Sequence, residues 1–437
     1  MVALEQHVAD ILKTAKKYGA SSAETSISTA QGQTVSVRLG NTETVKHHQQ
    51  KSFAITAYIG KASGSASGSD FTPAGIESVI KAACDIARYT TEDECSGLAD
   101  AKDMAKHIPD LDLYHPWDIS VEAASELALC CEQAALNYDN AITNSQGASV
   151  VNSTSESVYG NTHGFLGALK SSRQRISCSV VAKRDDDMQR NSWFSIARDQ
   201  HDLESPESIG RTAAKETLKQ LSPRQLKTGK MPVIFNTDVA EGFFAHALNA
   251  ISGGAQYKKA SFLLDSLGKQ IFPNFVSLSE KPHIKKGLGS RAFDSEGVAT
   301  YDKNIIENGV ITSYLLDSYS ARKLGCHTTA NAGGIHNLFI SHSDTSLAEL
   351  LAEMGTGLFV TDTMGMGVNL ITGDYSRGAV GFWVENGEIQ YPVQEITIAS
   401  TLPEMFKGIQ KIANDIDQRS QIKTGSVLID QMTIAGQ

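Results

Sequence analysis

Helices and antiparallel strands follow one another in mixed order along this chain. That predicts an α+β fold: an N-terminal α/β region of antiparallel sheets and helices, then a mixed, strand-rich C-terminal domain. Three observations carry the expectation. Segments 34–39 and 53–59 alternate apolar and polar residues in period two, as strands with one buried face do. Segments 3–18, 73–88 and 205–221 have the apolar spacing of helices. The pairs Asn308-Gly309 and Asn386-Gly387, each flanked by apolar residues, signal hairpins, because a type I′ turn needs positive φ at both centres.

Taken in order, Leu4, Val8, Ile11, Leu12 and Ala15 share one face of the first helix, and Gly19 stops it. Strands run from 23 to about 68, with Gly40-Asn41 as a turn. His47 and His48 fall on one of these strands and face opposite ways, so they cannot hold one ion together. Pro73 opens the next helix, at a position where its missing N–H costs little. The polar stretch 90–116 reads as a loop or linker. A helix over 120–137, strands over 141–198 and the helix over 205–221 complete the first half. The short, polar, basic segment 222–230 is the main boundary. A chain of 437 residues exceeds what one core usually serves. The expected division is 1–108, helix and sheet; 109–224, strand-rich and packed with the first; and 229–437, the C-terminal domain. No fixed-period repeat is visible, which excludes solenoids and propellers.

Composition narrows the function classes. Hydrophobic residues make up 41% and charged residues 20%, ordinary for a globular protein. Net charge is −10, which argues against nucleic acid or an anionic membrane as the main partner. The six cysteines form no Cys-x-x-Cys pair, so neither a disulfide scaffold nor a zinc knuckle is expected. No basic segment followed by an apolar block opens the chain, and no apolar run approaches the roughly 18 residues of a membrane helix. A cytoplasmic protein is the expectation.

The segment 238–251 would carry metallopeptidase chemistry if any part did. Asp238 suits an N-cap and Glu241 the first turn, while Val239, Phe243, Phe244, Ala247, Leu248 and Ile251 form a broad apolar stripe. A zinc-peptidase helix needs two metal-binding side chains on one face and a carboxylate to take a proton from water. Here only Glu241 and His246 could serve, five positions apart, and Gly242 stands where that carboxylate would be wanted. The bland reading is a helix cap and a half-buried, hydrogen-bonded histidine. His327, His336 and His342 lie in a glycine-rich stretch, where the last two could share a strand face. Gly365-Met366-Gly367 lacks the third glycine of a dinucleotide loop.

The segment 364–389 contains Gly373-Asp374-Tyr375-Ser376-Arg377-Gly378 followed by Gly381-Phe382-Trp383. It resembles the C-terminal signature of the TldD/PmbA peptidase family, in its PmbA (TldE) branch. Segments 259–268 and Thr424-Gly425-Ser426-Val427-Leu428-Ile429 agree with that resemblance, which covers essentially the whole chain. As a local structure the signature is strand, turn and strand, with Phe382, Val384, Ile389 and Val393 packing the sheet. Asp374 and Arg377 could pair or hold a peptide end, a surface pair being the bland alternative.

The resemblance implies that TldD-type chains hold catalytic zinc with a His-Glu-x-x-x-His helix and a late cysteine, and that PmbA-type chains pair with them. The matching run here, Glu241-Gly242-Phe243-Phe244-Ala245-His246, keeps only the last histidine, and no cysteine follows Cys326. The implied protein is a subunit with no metal or cofactor of its own. Its zinc is expected in the TldD-type partner, and its substrates are extended peptides in maturation or clearance. A homodimer is an option when the chain is alone. Two other readings stay open: a stand-alone metallopeptidase using Glu241, His246 and a ligand such as His327 or His336, and a module that only binds peptides.

Overall fold

The period-two segments of the first half combine into one sheet. In the computed structural model, which describes residues 2–436, the order is α1 (Val2–Lys17), β1 (Ser22–Arg38), β2 (Asn41–Ile59), β3 (Ala62–Gly68) and α2 (Pro73–Tyr89). There follow α3 (Val121–Leu136), β4 (Ile142–Asn161), β5 (Leu166–Arg184), β6 (Asp187–Ala197) and α4 (Pro206–Leu218). A helix–strand–strand–strand–helix unit therefore occurs twice. The two halves meet where β1 pairs antiparallel with β4, giving the order β3-β2-β1-β4-β5-β6. This duplication has no counterpart as a sequence period.

At 17 and 20 residues, β1 and β4 are long enough to run beneath both helix pairs. Val8 and Ile11 of α1 and Ile80 of α2 pack on Ile27, Phe53, Ile55 and Val158. Ala128, Cys131 and Ile209 of α3 and α4 pack on Val35, Val37, Val150 and Ile176. Each such fully buried large aliphatic or aromatic side chain stabilises the fold by about 1.5–3 kcal/mol. Ile27 and Val35 have the same parity, so both helix pairs cover one face and leave the other to small polar residues. On that uncovered face Ser28 pairs with Ser52 at 3.0 Å, Ser155 with Ser171 at 2.9 Å and Ser149 with Ser177 at 2.9 Å. The β1–β2 turn centres on Leu39 and Gly40, both at positive φ, one residue earlier than the expected Gly40-Asn41.

The stretch 90–116 is a strap laid against the second half. Arg322 donates to the carbonyls of Cys95, Gly97 and Leu98, Tyr319 and Lys323 reach Asp93, and Met104 bridges to Val298.

The second half comprises β7 (Gly229–Phe235), α5 (Thr237–Ala250), α6 (Gly253–Tyr257), β8 (Leu278–Glu280), β9 (Lys303–Glu307), β10 (Val310–Ile311), α7 (Ser318–Lys323) and β11 (Leu338–Ile340). It continues with α8 (Leu347–Met354), β12 (Gly357–Met364), β13 (Asp374–Glu385), β14 (Glu388–Thr401), α9 (Leu402–Lys407), β15 (Ile409–Ile412), β16 (Ile422–Lys423) and β17 (Val427–Ala435). Five of these strands, β14-β13-β12-β7-β17, close on themselves because β14 also pairs with β17. A smaller sheet runs β10-β9-β8-β11-β16. Asn308-Gly309 and Asn386-Gly387 form hairpin turns as expected, all four residues at positive φ.

Candidate functional site

The strand β7 delivers the chain into α5 from a fully buried run, Val233, Ile234 and Phe235. The helix is capped by Asn236, whose Oδ1 accepts from Val239 N at 2.9 Å, and not by Asp238 as expected. A cap needs extended backbone outside the helix, and Asp238 is already inside it. Asp238 instead faces Arg419 at 3.5 Å. Arg419 grips Asp417 with Nη2 at 2.5 Å and stacks over the Trp193 ring of β6 at 3.8 Å. At the other end, the Ala250 carbonyl accepts from Gln256 Nε2 at 2.8 Å and Ser261 Oγ at 2.7 Å. This is what part of the signature-like segment 259–268 does: it closes the end of α5. Phe243 and Phe244 anchor the helix against Phe235, Phe406 and Phe272.

One face of α5 borders a cavity of about 1040 Å³ between the serine-lined face of the long sheet and the second half. Glu241, Ala245, Leu248 and Asn249 line it from α5, Ser153, Ser155, Ser157 and Ser171 from the sheet, and Gly333, Gly334 and His336 from the second half. Burial pushes the Glu241 carboxyl up, and a hydrogen bond from Ser420 works against that.

His246 is not among the cavity-lining residues. It is half-buried, with its ring edge-on to Tyr375 of β13 at 6.1 Å between centroids. Burial and the neighbouring Arg377 charge both push its pKa down, which favours the neutral imidazole. Burial raises Tyr375 to about 12. The structure thus brings together His246 and Arg377, which the sequence offered as separate candidates. It separates Asp374 from Arg377: three residues apart on a strand, their side chains leave opposite faces. Asp374 is exposed and accepts from Thr372 Oγ1 at 2.5 Å, while Arg377 donates to the Thr363 carbonyl at 3.1 Å.

Within the signature loop, Gly367 is required by space, since a Cβ there would lie 1.7 Å from the Ser376 carbonyl oxygen. Phe382, Val384 and Val393 are buried as expected. Ile389 is 47% exposed, because it lies two residues past the hairpin turn at the sheet's end.

A catalytic zinc needs three protein donors converging at about 2.0–2.3 Å. Among the described residues no group of three or more His, Cys, Asp or Glu side chains is so placed. Five residues along a helix turn the side chain by about 140° from the starting face, so Glu241 and His246 diverge. The Arg377 cation beside His246 further disfavours a metal there. His336 cannot serve as a spare ligand: it is buried, and its Nδ1 meets Glu280 at 3.0 Å. His342 is exposed, its Nδ1 directed at the Ser343 carbonyl, and His327 is exposed as well. The residues present do not fit a zinc centre.

Reading the sequence missed Arg173, Arg198 and Arg291, which all line the cavity. They come from three separated segments and form no motif. The one local hint is that Arg173, together with Arg175, interrupts the serines Ser171, Ser177 and Ser179 at outward parity on β5.

Family models match in three blocks: PmbA/TldA metallopeptidase domain 1 over 23–87, the central domain over 114–221 and the C-terminal domain over 228–436. The chain is 49% identical to a metalloprotease PmbA homolog of Haemophilus influenzae, over 99% of this chain and 96% of that one. It is 50% identical to the metalloprotease PmbA of Escherichia coli O157:H7, over 95% of this chain and 92% of that one. A crystal structure from Bacteroides thetaiotaomicron, described as a modulator of DNA gyrase, superposes with a TM-score of 0.93 at 26% identity, covering 99% of this chain and 98% of that one.

Proposed function

The chain belongs to the PmbA branch of the TldD/PmbA metallopeptidase family, and on that footing we propose that it is the non-catalytic subunit of a cytoplasmic zinc-peptidase complex. It works with a TldD-type partner on extended peptides, in peptide maturation and in clearing unfolded peptides. The observation that carries this reading is the state of α5. The helix is capped, sealed at its end and packed through Phe243 and Phe244, and it still borders the main cavity. Yet its two potential donors diverge, and one of them sits beside an arginine. A scaffold kept intact while its metal chemistry is gone fits two related chains that have divided the labour. Zinc and the water it activates then belong to the partner. This chain's residues shape the cavity, hold α5 against β6 through Arg419, and offer hydroxyls to a peptide.

Reconstitution tests the reading. The isolated chain is expected to leave an unstructured peptide intact, and the mixture with a TldD-type chain to cleave it. Glu241→Ala and His246→Ala in this chain should change the mixture's kcat by no more than about twofold. Cleavage by the isolated chain that disappears in Glu241→Ala would establish the stand-alone peptidase instead.

A further inference from the structure

A cation held away from water is costly unless a carboxylate neutralises it. In this acidic chain the cations near the cavity mostly obey that rule. Lys170 meets Glu156 at 2.7 Å, Lys286 meets Asp199 at 2.8 Å, and Lys303 meets Glu280 at 2.7 Å. Arg198 does not. It is 7% exposed, and its partners are main-chain carbonyls: Ser172 O at 3.0 Å, Leu288 O at 2.6 Å and Gly287 O at 3.5 Å. Its Nε has no hydrogen-bond partner among the described residues. Two more arginines crowd it, Arg173 of β5 and Arg291 of the loop after Leu288. Burial and their charges push its pKa down to about 10. Arg173 and Arg291 are exposed, and neither forms an ion pair with a carboxylate among the described residues. All three line the cavity. The acids that also line it are committed elsewhere, Glu241 with Ser420 and Asp317 with Ser320 N at 2.7 Å and Oγ at 2.6 Å.

We infer that Arg173, Arg198 and Arg291 form an anion subsite that takes a peptide carboxylate, at the chain end or on an acidic side chain. The inference rests on the peptide-binding part of the function proposed above. The surroundings favour a peptide over a nucleotide. Apart from His336, no aromatic ring on which a base could stack lines the cavity among the described residues, whereas serine hydroxyls and glycine backbone suit an extended chain. Guanidinium groups match carboxylates in planar, bidentate geometry.

The test is fluorescence anisotropy on the full-length chain with a six-residue fluorescein-labelled alanine–glycine peptide. Three forms are compared: the free acid, the C-terminal amide, and the amide carrying one internal glutamate. The free acid should bind about tenfold more tightly than the plain amide, the equivalent of one charge-assisted hydrogen-bonding contact. Arg173→Ala and Arg291→Ala, both at exposed positions, should abolish that difference without changing thermal stability. If the glutamate amide matches the free acid, side-chain carboxylates are ligands too; if it matches the plain amide, the subsite is specific for chain ends. Equal binding of free acid and plain amide, unaffected by either variant, would overturn the subsite while leaving peptide binding intact. No binding of any form would remove the peptide-binding reading together with the subsite. Displacement of the free acid by ATP at lower concentration than by acetate would make the ligand a nucleotide and overturn the inference as well.

Discussion

Glu280, beneath the cavity-lining His336, and Arg198, in the cavity wall, are both buried ions, and they are completed in opposite ways. Glu280 is fully buried and accepts from Lys303 Nζ at 2.7 Å, His336 N at 2.6 Å, His336 Nδ1 at 3.0 Å and Asn331 Nδ2 at 3.1 Å. Burial alone would raise its pKa, but these donors and cations outweigh burial and hold it at about 2. Arg198 has carbonyls on one side and two like charges nearby, with no carboxylate among the described residues. Glu296 lies between these extremes. It accepts from Ser318 N and Oγ at 2.9 and 2.6 Å but has no cation among the described residues, and burial holds its carboxyl up at about 7. The contrast separates two uses of a buried charge. Where the charge fixes the fold, the chain supplies the whole shell; where the shell is incomplete, a ligand is the missing part.

The largest effect that would break this contrast belongs to Glu280. Glu280→Ala leaves Lys303 buried without its carboxylate and should cost about 3–5 kcal/mol in urea unfolding. A cost below about 1 kcal/mol would mean the cluster is not a structural ion site.

The next is a pH effect with opposite sign for the two glutamates. The pKa of Glu280 is lowered on folding, so its contribution is present above the ordinary carboxylate range and is lost as pH falls toward 2. Glu296 is raised, so the stability tied to its neutral form is complete below about 4.3 and is lost as pH rises through 7. Glu296→Gln should therefore gain stability relative to the parent between pH 5 and pH 8, by roughly 1–3 kcal/mol. Thermal melts across that range check it, and a difference that does not vary with pH would refute it.

The smallest effect belongs to Arg198. Arg198→Met removes the donors to Ser172 O and Leu288 O but also relieves an unpaired charge. The net loss should be only about 1–2 kcal/mol, well below that of Glu280→Ala. Equal losses would erase the distinction between the two sites.

Local chemistry made much of the fold legible. Period-two runs became β1 and β2, the two Asn-Gly pairs became hairpins, and the proline-opened helix starts at Pro73. What stayed hidden depends on partners far apart in the chain. The β1–β4 seam joins residues more than a hundred positions apart, and the closure of β14 on β17 has no local signal. The same holds for the site. Glu241 and His246 were visible as helix residues, but their divergence, and the Tyr375–Arg377 pocket that receives His246, depend on where β13 packs. The arginine cluster was invisible because each member looks like a solvated surface residue until the two halves face each other. Asn236 and Asp238 are both good caps by residue type, and only the backbone conformation decides between them.

The proposed function requires that α5 keeps the helix of a metallopeptidase without its metal. The measurement that bears on it most directly is the zinc content of the purified isolated chain, by mass spectrometry after equilibration with zinc and removal of the excess, beside the complex with a TldD-type partner. Zinc is expected in the complex and only trace zinc in the isolated chain, unchanged by His246→Ala. Stoichiometric zinc in the isolated chain that is lost in His246→Ala would contradict it.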